Sequence, residues 1–373
     1  MARKLDSLAR VRDPLACTAL GACAVLLALG CTAPKSADDR PPPSDAAVDA
    51  GPDAPGDAGG AACPTITEFS LSGDAGKFPA GIVEGPDGNL WFTLEYTAGF
   101  VPGGAGRYGD GLGWMSPDGS SHEIAVHTPG AGPSAITLGP DHNPWFTEFG
   151  SGNVGRVIID GGPIVTELPT PASAPNGISP GPDGQVWFTD LDGNNVDRVS
   201  VDGGTVTPFP IPQASSQPRG IVLGPDGNLW FGEQAGLVGR VTSKGQFDQF
   251  AVPMGNPSVG SITVGPDGNL WFTDGGNEAI GRITTAGVIT EYAIPTPGSN
   301  PFDIVAGPDG ALWFTETSSN KIGRLAAGTD GAVSFLECDV PTQRSNPLAI
   351  TATSSAVWFT EAYANKIGRV ALP

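Results

Sequence analysis

Few residues in this chain could do acid–base or metal chemistry. It has three histidines, His122, His127 and His142. His122 and His127 flank a predicted outer strand, and His142 takes the place of a glycine in a GPDG turn. All three are expected at the surface rather than at work as a base. No Ser-His-Asp set and no His cluster with metal-ligand spacing is visible. Acids follow Trp-Phe at Glu148, Asp190, Glu233, Asp274, Glu316 and Glu361, and arginines recur downstream at Arg156, Arg198, Arg240, Arg282, Arg324 and Arg369. Residues that return in nearly every repeat answer to what every repeat needs, so these acids and arginines are expected to pair within or between repeats. The aspartates of the GPDG turns stand one per isolated turn, well short of the multi-oxygen cage that calcium requires.

The elements that must position these groups come from the repeat. GPDGNLWFT runs from Gly85 to Thr93 and returns unchanged from Gly265 to Thr273. Near copies begin at Gly139, Gly181, Gly224 and Gly307. Trp-Phe occurs seven times, at Trp91, Trp145, Trp187, Trp230, Trp271, Trp313 and Trp358. The first interval is 54 residues and the others are 41 to 45. A period near 42 falls in the range of a four-stranded propeller blade. The density of Pro and Gly rules out long helices, and the apolar runs are short, β-branched and aromatic. In the unit from Pro218, the inner strand is read around Gly220–Leu223, the second as Asn228–Glu233, the third as Leu237–Thr242 and the outer as Phe247–Val252. Asp-Gly makes the hairpin turn because Gly accepts positive φ. Trp-Phe fills the space between blades.

The last unit stops after KIGRVAL, from Lys366 to Leu372, without an outer strand. The segment Ile66–Leu71 has the outer-strand pattern of Ile289–Tyr292. It is predicted to complete the last blade and remove two exposed sheet edges. The fold class is therefore all-β, a seven-bladed β-propeller over residues 64–373.

Composition bounds the partners. The chain has 373 residues with 55 Gly and 37 Pro, and a formal charge of −20. That charge argues against nucleic acid, whose phosphates need clustered Lys and Arg. Residues 1–31 read as a secretory signal: Arg3, Lys4, Arg10 and Arg12, then an apolar run from Leu15 to Leu29. That run is shorter than the ~20 residues that span a bilayer. It ends in Ala28-Leu29-Gly30-Cys31, which is similar to a bacterial lipobox with Cys31 lipidated, although Ala28 stands where the pattern prefers Leu. Ordinary signal cleavage nearby is the alternative. Residues 32–62 have almost no large apolar side chain and are expected to be a disordered tether. The expectation is an exported, membrane-anchored lipoprotein in the periplasm or at the cell surface, monomeric, and touching membrane only through its lipid. Cys63 and Cys338 remain for the folded part and either pair or stay free.

LWFTETSSNKIGRL from Leu312, WFTEAYANKIGRV from Trp358 and GRITTAGVITEYAIPTP from Gly281, with Pro-x-Gly-Ile at the inner strands, resemble the virginiamycin B lyase family. The resemblance covers all seven blades. It implies a propeller that opens the ring ester of streptogramin B antibiotics by elimination, with Mg2+ and a histidine. A metal on the carbonyl side would acidify the neighbouring C–H, and an imidazole would move the proton. The resemblance places the key residues at the x of Pro-x-Gly-Ile, where this chain has Ala80, Ser134, Asn176, Arg219, Gly260, Phe302 and Leu348. None is His. Leu348 stands where the resemblance expects the base, Phe302 where it expects a substrate-contacting His, and Ala80 where it expects a Tyr. Asn346 stands for an acidic metal ligand, and Glu361, one residue early, is nearest to the second.

Ser134, Asn176, Arg219, Phe302 and Leu348 together look like a ligand-binding lining at one mouth of the channel, unless inner-strand side chains simply plug it. The first unit also carries a Gly-rich insertion, residues 96–111, with Tyr96, Phe100, Arg107 and Tyr108. It could cover a site or be a tolerated insertion. With no strand before it and helix after it, it is not a phosphate loop. The reading is a module that binds a small molecule, peptide or protein partner without the family's catalytic His and with no cofactor of its own. The alternative is an active Mg2+-dependent lyase on a cyclic depsipeptide ester. A purely structural surface module would instead have a plugged channel.

Overall fold

The computed structural model describes residues 62–71, 77–96, 110–253, 255–328 and 332–372. Among these, 28 strands form seven four-stranded antiparallel sheets. Each inner strand lies against the inner strand of the next blade, and the last lies against the first. In the fourth blade the strands are Pro218–Leu223, Leu229–Glu233, Leu237–Val241 and Phe247–Ala251. The expected boundaries hold to within two residues.

The closing strand is where the sequence put it. Ile66–Ser70 pairs antiparallel with Lys366–Ala371, with Ile66 opposite Val370 and Ser70 opposite Lys366. The seventh blade is thus built from both ends of the propeller. Cys63, just ahead of this strand, is disulfide-bonded to Cys338 in the outer strand of the sixth blade, Val333–Asp339. The Cα–Cα separation is 5.6 Å. The bond ties the closing strand to the neighbouring blade. Cys31, the signal, the tether up to residue 61 and the insertion residues 97–109 lie outside the described residues.

The Trp-Phe dipeptide serves two seams at once. Consecutive strand residues point to opposite faces of a sheet. Trp91 meets Phe146 of the next blade in one apolar cluster, and Trp230 meets Phe272 in another. Trp358 meets Phe92 across the closure. Each buried ring removes about 150–250 Å2 from water, roughly 4–6 kcal/mol gross before entropy is counted. The Phe ring lies on the glycine of the third strand: a Cβ at Gly155 would stand 2.0 Å from Phe146 Cζ.

The GPDG aspartate does more than turn the chain. The indole N–H of Trp145 donates to Asp141 at 2.9 Å, and that of Trp271 to Asp267 at 2.9 Å. The third-strand arginine then covers the indole and reaches the same aspartate. Arg156 lies 5.2 Å from the centre of Trp145 and 3.2 Å from Asp141. The other examples are Arg198 with Asp183, Arg240 with Asp226, Arg282 with Asp267 and Arg324 with Asp309. This corrects the expected pairing of arginines with the acids after Trp-Phe. Register explains it: Arg156 lies opposite Trp145, while Glu148 lies opposite Asn153. Glu148 is three residues further along, about 10 Å away. In the first blade Trp114 replaces the arginine and stacks on Trp91 at 5.2 Å.

Candidate functional site at the mouth of the channel

All seven inner strands start at one end of the ring, which defines its mouth. Hydroxyls fix their spacing there. Thr93, Thr147, Thr189, Thr273, Thr315 and Thr360 follow Trp-Phe and are buried. Each sits between two inner strands. Thr147 Oγ1 accepts from Ala135 N–H at 3.1 Å and donates to the Asn176 carbonyl of the next blade at 2.8 Å. Thr93 donates to the Ser134 carbonyl at 2.7 Å, and Thr189 to the Arg219 carbonyl at 2.6 Å. Thr273 donates to Phe302 at 3.1 Å, Thr315 to Leu348 at 2.7 Å and Thr360 to Ala80 at 2.8 Å. The carbonyls held are those of the predicted site positions, so the backbone of each is fixed. The fourth blade has Gly232 instead, and its missing Cβ would stand 2.4 Å from the Gly260 carbonyl oxygen. There the two blades meet backbone to backbone.

Ser134, Asn176 and Arg219 thus fall on three consecutive blades, and Phe302 and Leu348 on two others beside Ala80. The mouth is polar along one arc and apolar along the other, with Gly260 between. Phe302 is 41% exposed, whereas Leu348 is 9% exposed. Burial lowers the pKa of Arg219, and Asp192 acts against this.

Sequence reasoning missed Tyr363, Phe78 and Asp303 at this end. Tyr363, 58% exposed, meets Phe78 edge-on at 5.8 Å between ring centres. It lies in the loop after the second strand of the seventh blade. Asp303 follows Phe302, where the other inner strands have Gly81, Ala135, Gly177, Gly220, Ser261 and Ala349. These are small because the next inner strand is close: a Cβ at Gly177 would lie 2.5 Å from the Arg219 carbonyl oxygen. Asp303 fills this space. It accepts from Ser261 Oγ at 2.6 Å, Ile304 N–H at 2.9 Å and Ile350 N–H at 2.9 Å, joining three blades. Its size among small residues was the signal in the sequence.

The residues at the positions expected to hold magnesium do not fit that ion. Asn346 is a neutral amide at φ 56°, and its carbonyl accepts from Ala362 N–H at 3.1 Å. Glu361 is fully buried. Burial and then the charge of Glu68 push its carboxyl up to about 7. Magnesium demands octahedral oxygen donors anchored by ionised carboxylates. Among the described residues no three His, Cys, Asp or Glu side chains gather as a metal cluster. The three histidines are exposed, as expected.

The virginiamycin B lyase family matches residues 233–373. The crystal structure of selenomethionine-substituted virginiamycin B lyase from Staphylococcus aureus is 34% identical, covering 83% of this chain and 99% of that one, with a TM-score of 0.73. A catalytically inactive histidine-to-alanine variant of virginiamycin B lyase from Staphylococcus aureus, with quinupristin, is also 34% identical over 83% of this chain and 99% of that one, with a TM-score of 0.74. A streptogramin B lyase structure is 35% identical over 82% of this chain and 96% of that one, with a TM-score of 0.72. Comparison with curated proteins finds no match.

Proposed function

The chain belongs to the virginiamycin B lyase family, and from that premise we propose that it is an exported, lipid-anchored binding propeller that has given up the family's elimination. It takes a small molecule, peptide or protein partner at the channel mouth, with Arg219, Asn176 and Ser134 on one side and Phe302 and Leu348 on the other. The observation that carries this reading is Leu348. An aliphatic side chain, 9% exposed, occupies the position where the resemblance expects the catalytic base. An alkyl group neither takes nor returns a proton. The Staphylococcus aureus relative is catalytically inactive when a single histidine is replaced by alanine. Export is supported by the basic and apolar leader ending at Cys31. The disulfide between Cys63 and Cys338 adds to it, because such bonds persist in oxidising compartments.

The test is to incubate the full chain with a streptogramin B and magnesium, and to follow the drug by chromatography and fragmentation mass spectrometry. Elimination opens the ring without changing its mass, whereas hydrolysis adds water. An intact ring at high protein concentration is expected. A linear product of unchanged mass, lost on chelation, would overturn the reading in favour of an active lyase.

A further inference from the structure

The buried acids after Trp-Phe have a feature the mouth does not use. In the second blade Glu148 is fully buried. Its Oε2 accepts from Ser151 Oγ at 2.6 Å and Asn153 Nδ2 at 3.0 Å. Its Oε1 is buried with no hydrogen-bond donor. The group facing it is Glu167 of the outer strand. Glu167 takes its donors from elsewhere: His127 N–H at 3.1 Å and Thr128 N–H at 2.9 Å. These belong to the linker that enters the blade and leads to Ser134. The sixth blade repeats the arrangement. Glu316 is fully buried, its Oε2 accepts from Ser319 Oγ at 2.8 Å, and its Oε1 has no donor. It faces Glu337 of the outer strand, which accepts from Thr296 N–H at 3.2 Å, in the linker leading to Phe302.

Two carboxylates in contact and out of water cannot both be ionised without large cost. A single proton between them supplies the donor that the bare oxygen lacks. The fourth blade shows the same need met in another way. Gln249 takes the outer-strand position, and its Nε2 donates to both oxygens of Glu233, at 2.9 and 2.8 Å. An amide N–H stands where the other two blades have only a second carboxyl.

We propose that Glu148 with Glu167, and Glu316 with Glu337, each share one buried proton, and that its release loosens the linkers leading to Ser134 and Phe302. The device makes the mouth pH-sensitive, and in that respect it rests on the binding reading above. In each pair the proton sits on the inner acid. Burial first, then the charge of the partner glutamate, pushes Glu148 up to about 7, and the same causes push Glu316 to about 7. Glu167 is held below its ordinary value; burial acts against this and is outweighed by the Thr128 and His127 donors. The other titratable groups facing the pairs are His127, with Nδ1 3.3 Å from Glu167, and Lys321, which opposes the rise of Glu316.

The experiment uses the full chain without ligand, so it is independent of what the mouth binds. Amide hydrogen exchange at residues 127–132 and 294–300, corrected for intrinsic rate, is followed from about pH 5 to about pH 9. Protection is expected to fall at least about tenfold across this window. In Glu148→Gln/Glu316→Gln the amide can donate as Gln249 does, and protection is expected to stay level. Equal loss in the variant, or no loss in the unmodified chain, overturns the proposal. The infrared band of protonated carboxyls is an independent check, read as the unmodified chain minus Glu148→Gln/Glu316→Gln, because Glu361 and Asp197 also hold protons in this range. It should be present at about pH 6 and lost by about pH 9; its absence at the lower pH overturns the proposal as well.

Discussion

Thr360 Oγ1 donates to the carbonyl oxygen of Ala80 at 2.8 Å, joining residues 280 apart in the chain. It also accepts from Ala349 N–H at 3.0 Å. This hydroxyl closes the ring of threonine bridges around the mouth. Thr360→Val keeps the shape and removes both bonds, leaving buried backbone groups unpaired. A loss of about 1–3 kcal/mol is expected in urea unfolding. No loss would mean that the hydroxyl ring is incidental to closure.

The gap in that ring should not be repairable. Gly232→Thr would complete the set of hydroxyls by sequence, yet its Cβ would meet the Gly260 carbonyl oxygen at 2.4 Å. The substitution is expected to lower the thermal midpoint rather than raise it. A rise would show that the fourth and fifth blades can move apart freely.

Breaking the Cys63–Cys338 bond frees the segment ahead of the closing strand. Cys63→Ser/Cys338→Ser is expected to cost about 2–5 kcal/mol, since the bond closes a loop spanning most of the propeller. Amide exchange should rise first at residues 66–70, because that strand is the outer edge of its blade and its backbone pairs on one side, with Lys366–Ala371. Uniform destabilisation with no early opening there would argue against a fastening role.

Asp197 replaces the third-strand glycine of the other blades, and neither of its carboxyl oxygens has a hydrogen-bond partner. Burial first, then the charge of Asp190, raises it to about 7 from an ordinary value of 3.8. The folded chain therefore holds a proton that the unfolded chain has lost, and this group's contribution to stability falls as pH rises between those two values. Asp197→Asn removes the charge. It is expected to match the unmodified chain near pH 4 and to exceed it by roughly 1–4 kcal/mol near pH 8. The check is a pair of denaturation curves, and a gain independent of pH would mean that the carboxyl does not titrate in this window.

Leu348→His restores the expected base but not the metal donors, since Asn346 remains an amide and Glu361 remains buried. No linear streptogramin product is expected from this variant with magnesium. Linear product of unchanged mass would show that the imidazole alone is sufficient on this scaffold.

The seven blades and the closing strand were legible in the sequence because each depends on local pattern. A Trp-Phe dipeptide on a strand must bury both faces, and only a neighbour on each side can do that. Ile66–Ser70 carried the outer-strand pattern, and the last unit lacked that strand. The positions of the candidate site follow from their place in the repeat, and the signal for Asp303, its size among Gly, Ala and Ser, was present but missed. The partners of the repeated charges were not legible. Arginines and buried acids recur together in sequence, but strand register sets each arginine over its indole and sends each acid to the far end of the strand. Which acids then face each other depends on how the strands of one blade pair, and that Cys63 reaches Cys338 depends on how neighbouring blades pack. Sequence determined the repeat, because period and pattern act within one blade. Tertiary structure alone decided the charge partners and the disulfide, because each joins residues from different strands or different blades.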